Sequence, residues 1–175
     1  MAEVVREWAG KPRCFRLDFG KVMDLEQAAG EGIGAIFLAV IGGQFKAAYV
    51  YHTIRLALIG GGERIVDADM LIKGHFDLRP YMENAALAGE ILTALMAGIE
   101  PTESDEDTEP QGPMVFSEVS QICQVFNMSP LDLRAMEYAD FVNMIRGFNA
   151  GSEEKIPHMS EEEFEDILRR YEPEK

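Results

Sequence analysis

Apolar and polar positions change period once along the first hundred residues, from that of a strand to that of a helix. Phe15, Leu17 and Phe19 alternate with Arg16 and Asp18, the two-residue period of a half-buried strand. With Val4–Trp8 before it and Ala9-Gly10-Lys11-Pro12 between, the pattern predicts an N-terminal hairpin over Val4–Trp8 and Cys14–Phe19. From Gly20 the period becomes helical. Val22, Leu25 and Ala29 share one face and Gly30 stops the helix. Ile33–Ile41 repeats the helical spacing and ends at Gly42-Gly43. Gln44–Ile59 is apolar nearly all round, which predicts a helix buried at the centre of its neighbours.

Gly60-Gly61-Gly62 ends that helix. Asp67 is the expected cap of a short helix through Ile72 with Gly74 as its stop, and Asp77 the expected cap of a long one with Pro80 in its first turn. Tyr81, Ala85, Ala88, Ile91, Leu92 and Leu95 give the long helix its inward stripe before Gly98.

Glu100–Pro113 breaks the pattern, with six acids and three prolines and too little apolar surface to offset its ordering entropy. Shorter helical patterns follow it. Phe116, Val119, Ile122 and Phe126 mark one face, Ser129-Pro130 opens a second helix, and Tyr138, Phe141, Val142 and Ile145 mark a third. Ser160-Glu161-Glu162-Glu163 reads as a capping box before Phe164, Ile167, Leu168 and Tyr171. The expected fold is therefore mainly α, in two small helical modules, the first with a short N-terminal β-hairpin. The modules are 1–98 and 114–175, joined by an acidic flexible linker over 99–113.

Charge sharpens this division. The 175-residue chain carries a net charge of −15. Residues 1–98 hold 10 basic and 12 acidic side chains, whereas 99–113 hold six acids and no base, and 114–175 hold 6 bases and 13 acids. That sign excludes phosphate-led nucleic-acid binding and opposes an anionic membrane surface. No apolar run reaches the ~20 residues of a bilayer span, and the N-terminus does not read as a signal peptide. Two cysteines make no disulfide framework and fit a reduced cytoplasmic setting.

Candidate chemistry does not assemble. The glycines at 30, 32, 34, 42 and 43 follow a helix, not the strand of a dinucleotide fingerprint, so interhelical turns account for them. His52, His75, His158 and the two cysteines lack zinc-ligand spacing; His52 reads as a core histidine and Cys123 as a small buried residue. The acids of Ser104–Glu109 lack the alternation and central glycine of a calcium loop. No catalytic, cofactor or metal residue is assigned and no enzyme is expected. Ten methionines and several aromatics are more apolar surface than small modules readily bury, which points to protein binding. The residues singled out for partner binding are Tyr49, Tyr51, Phe116, Phe126, Tyr138, Phe141 and the acids Glu161, Glu162 and Glu165.

Phe15-Arg16-Leu17-Asp18-Phe19-Gly20, followed by Leu25-Glu26-Gln27-Ala28-Ala29-Gly30, resembles the opening of gene-transfer-agent and long-tailed-phage tail proteins. The order of elements through Gly98 follows the same family. Phe126-Asn127-Met128-Ser129-Pro130 and Met136-Glu137-Tyr138-Ala139-Asp140-Phe141 are similar to the small helical tail-assembly proteins found next to it. The resemblance implies a tail assembly chaperone, working in the bacterial host cytoplasm. It would bind the tape-measure protein and recruit tail-tube subunits, with self-association left open. The alternative is a structural tail subunit, tube or minor. Tube subunits are largely β-sandwich rings, and a mostly helical chain argues against that label.

Overall fold

The computed structural model describes residues 2–99 and 112–152. The expected linker, apart from 99 and 112–113, and the expected last helix with Glu161, Glu162 and Glu165 lie outside the described residues. The chain divides into two compact units, Met1–Asn143 and Met144–Lys175.

Among the described residues the fold is helical with one hairpin. Strands β1 (Glu3–Trp8) and β2 (Lys11–Arg16) pair antiparallel, Glu3 opposite Arg16 through Trp8 opposite Lys11. Ala9 and Gly10 form the two-residue turn with φ of 52° and 79°, the left-handed values that a hairpin turn of this length favours. Helices α1 (Phe19–Ala29), α2 (Ile33–Ile41), α3 (Ala47–Gly60) and α4 (Ile65–Leu71) follow, and α4 runs on into a π-helical turn, Ile72–Phe76. Helix α5 spans Tyr81–Met96. Beyond residue 111 come α6 (Phe116–Val125), α7 (Pro130–Ala135) and α8 (Tyr138–Ser152).

Helix α3 is central, as its all-round apolarity requires. It packs on α1, β2 and α5, and Val50, Ile54, Ala57 and Leu58 are fully buried. Its C-terminus lies against β2 so closely that a Cβ on Gly60 or Gly61 would fall 2.1 Å from the Arg16 carbonyl oxygen or 1.9 Å from that of Cys14. Those glycines therefore do more than stop a helix. They let a helix end touch a strand edge.

Several boundaries differ from the sequence pattern: β2 starts at Lys11 instead of Cys14 and α3 at Ala47 instead of Gln44, and four others have a definite local cause. Phe19 starts α1 instead of ending a strand, because the Asp18 carboxylate accepts the Lys21 N–H at 2.8 Å and caps the helix there. Asp67 is not a cap: α4 starts at Ile65, and Asp67 sits in its first turn with both oxygens on the Arg64 guanidinium. Gly74 does not stop that helix, since buried Ile72 and Phe76 hold the chain in the π-helical turn through it. Asp77 does not cap α5, because a residue before proline is pushed out of the α region and helical geometry resumes only after Pro80.

Candidate functional site

Two features of Met1–Asn143 bear on interaction: a seat on α1 that takes the later helices, and the apolar side chains left outside. The seat is built from Asp18, Phe19, Gly20, Asp24 and Glu26. Phe19 stacks on Phe141 with ring centroids 4.0 Å apart, both rings buried. Its backbone N–H donates to the Met136 carbonyl at 2.9 Å, and Asp18 forms an isolated bridge with Glu137. Gly20 admits the α7 backbone, since a Cβ there would lie 3.0 Å from the Arg134 carbonyl oxygen. The Arg134 guanidinium donates to Asp24 at 2.8 Å. Leu133, fully buried, anchors α7, which the Ser129 hydroxyl caps by accepting the Asp132 N–H.

Glu26 closes the seat. It is buried, and its carboxylate accepts the N–H of Ile33 at 2.8 Å and of Met114 at 3.0 Å. The first bond serves the N-terminus of α2, whose capping residue, Gly32, has no side chain to do so. The second ties down the chain at Met114, just after the acidic stretch in sequence. Sequence reading missed this role, although a lone acid among apolar positions of α1 was the available signal.

The expected partner-binding residues divide by burial. Tyr49 and Phe141 are buried, and Tyr51 and Tyr138 are half-buried against the main core. Tyr51 meets the edge of Phe76 at 5.4 Å. Phe126 is half-buried at the C-terminus of α6. Phe116, at the other end of that helix, is 82% exposed, beside a groove of about 470 Å³ along α6 and the start of α7. Tyr49 and Tyr51 share α3, Tyr138 and Phe141 share α8, and Phe116 and Phe126 stand at the two ends of α6, but the structure brings Phe141 to Phe19 instead of to another expected binding residue.

Other large apolar side chains lie outside. Leu78 is 81% and Leu131 78% exposed, and Ile65, Val66, Met70 and Met82 are also open to solvent. Met70 and Met82 were visible in the sequence only as part of the methionine excess. A second groove, about 920 Å³, runs beside β1 over α5. Surface of this kind binds protein more readily than small polar molecules.

Among the described residues no three His, Cys, Asp or Glu side chains cluster to hold a metal ion. His52 and His75 both titrate below the ordinary histidine value, chiefly through burial and secondly through Arg55 and Arg79 respectively. His75 Nε2 accepts the Ala9 N–H at 3.2 Å and its ring meets Trp8 edge-on at 4.6 Å. Burial also raises the Cys14 thiol, so that thiol is not an activated nucleophile. No described helix is long and apolar enough to cross a membrane.

No curated protein and no solved structure matches the chain. Residues 1–98 match the family model described as phage tail tube protein, GTA-gp10. That match takes in the hairpin, α1 with its Glu26, the central α3 and all of α5. On that match the chain belongs to the phage and gene-transfer-agent tail proteins of the GTA-gp10 family.

Proposed function

We propose that this tail protein is an assembly factor, a tail assembly chaperone, that binds the tape-measure protein and recruits tail-tube subunits in the host cytoplasm. The observation that carries the reading is the pairing of a helical fold with uncovered apolar side chains. Phe116, Leu131, Leu78 and Met82 are exposed on a small acidic protein whose described strands are a single hairpin. A tube subunit built as a β-sandwich needs two packed sheets, more than one two-stranded hairpin supplies. A holdase for a long apolar helical protein needs exposed apolar surface, and strong negative charge keeps such a surface soluble.

The family description favours a second reading, in which the chain is a tube component of the finished particle. No catalytic role enters either reading. Co-expression with the tape-measure protein tests the first. The tape-measure protein should move from the insoluble to the soluble fraction with this chain bound to it. Unchanged solubility, with both proteins well expressed, contradicts it.

A further inference from the structure

The hairpin has one covered edge and one open edge. In a two-residue hairpin the residues flanking the turn form a hydrogen-bonded pair, so Trp8–Lys11, Arg6–Arg13 and Val4–Phe15 exchange the ladder bonds. The backbone groups of Cys14 and Arg16 then point away from β1, which is where Gly60 and Gly61 of α3 meet their carbonyls. By the same register the N–H and C=O groups of Glu3, Val5 and Glu7 point away from β2. Among the described residues no backbone partner occupies that edge.

The space beside it is shaped. Four consecutive residues, Glu3 to Arg6, line the groove of about 920 Å³. Successive strand side chains face opposite ways, so a groove touching four in a row runs along the strand's edge. Its floor is the small-residue side of α5, including Ala86, Gly89 and Thr93, and its far wall is the end of α2 with Ile41. Helix α5 passes beneath β1 and not beside it, since Arg6, on the inward face with Trp8, donates to Glu90 at 2.7 Å. A third strand fits over that floor, with room for its inward side chains.

We propose that the β1 edge takes an extended segment of a partner protein by strand addition, one carrying basic side chains on either side of an apolar one. The charge pattern selects this occupant. Glu3, Val5 and Glu7 share the outward face, and Val5 is 60% exposed. Glu3 lies 3.7 Å from Arg16 and acts on the Cys14 thiol, both within its own hairpin, while Glu7 stands opposite Pro12. Cross-strand neighbours of an acid–apolar–acid row are best basic–apolar–basic. A second copy fits poorly: antiparallel pairing of two β1 strands centred on Val5 sets Glu3 against Glu7, between chains that each carry −15. The proposal stands on hairpin geometry and not on the chaperone reading.

The test uses the full chain and a fluorescent peptide, acetyl-TKIVIKT-amide, with acetyl-TEIVIET-amide as control. The lysine peptide should bind and the glutamate peptide should not, and binding should slow hydrogen exchange at the Val5 and Glu7 amides. Val5→Pro removes an edge N–H that the β1–β2 ladder does not use, as Pro12 already does on β2. Thr93→Trp fills the floor from α5 and leaves the β1–β2 ladder residues unchanged. Each should weaken the lysine peptide by ~10-fold or more; Glu7→Lys should abolish the preference between peptides, and Glu3→Lys with Glu7→Lys should reverse it. No binding at millimolar peptide, equal binding of both peptides, or binding unaffected by Val5→Pro and Thr93→Trp would overturn the proposal. So would a self-association of the free chain that Val5→Pro abolishes, which would assign the edge to a second copy.

Discussion

Glu26 holds Met114 across 88 positions of chain: its Oε2 accepts the Met114 N–H at 3.0 Å while Oε1 accepts that of Ile33. One buried carboxylate thus starts α2 and fixes the point where the later helices join α1. Glu26→Gln keeps the shape but offers only one acceptor oxygen, leaving a donor without a partner. The variant should lose ~1–3 kcal/mol in urea unfolding. By contrast Asp24→Asn, which breaks the partly exposed pair with Arg134, should cost less than ~1 kcal/mol.

Gly61 is the tightest contact between helix and hairpin, with Cys14 oxygen 1.9 Å from where a Cβ would be. Gly61→Ala should destabilise the fold by ~3 kcal/mol or more, because neither backbone can move alone. Gly34, inside α2, has nothing within 4 Å. Gly34→Ala should therefore stabilise by ~0.5–1 kcal/mol. Thermal melts of the two variants should move in opposite directions.

Thr53 is fully buried on α3, and its hydroxyl has no hydrogen-bond partner among the described residues. Thr53→Val keeps the branched shape and removes the stranded group. Denaturant unfolding should show a gain of ~1 kcal/mol.

Acid should weaken the protein through its histidines. His52 and His75 are held below their ordinary value of 6.5, so below about that pH the unfolded chain binds more protons than the folded one. Their contribution is complete above pH 6.5 and is lost as pH falls through the lowered folded values. For His75 protonation also removes the acceptor that holds the Ala9 N–H. Urea midpoints should fall between neutral and mildly acidic pH, and His75→Gln should flatten that fall. A variant with the same pH slope as the native chain would remove His75 from the account.

Local periodicity carried much of this fold. Ile33–Ile41 is a helix with the bounds its spacing predicts, and the all-round apolarity of α3 marks it as central. Ser129-Pro130 opens α7 as a cap followed by proline should. What periodicity does not carry is any relation between distant segments. Phe19 reads as the last inward residue of a strand, yet its ring belongs against Phe141. Phe141 was legible as an aromatic available to a partner, yet it is buried within the chain. Asp67 and Asp77 have the chemistry of caps, but an arginine at 64 and a proline at 80 set the helix starts. That α3 covers the β2 edge and leaves β1 as the open one rests on contacts 44 and 47 residues apart that two glycines permit.

Mass spectrometry of purified, tail-bearing particles tests the assembly-factor reading most directly. An assembly factor leaves once the tube is built, so peptides of this chain should be absent while those of tube subunits are abundant. Recovery of this chain in step with the tube subunits would contradict the reading and make it part of the tail.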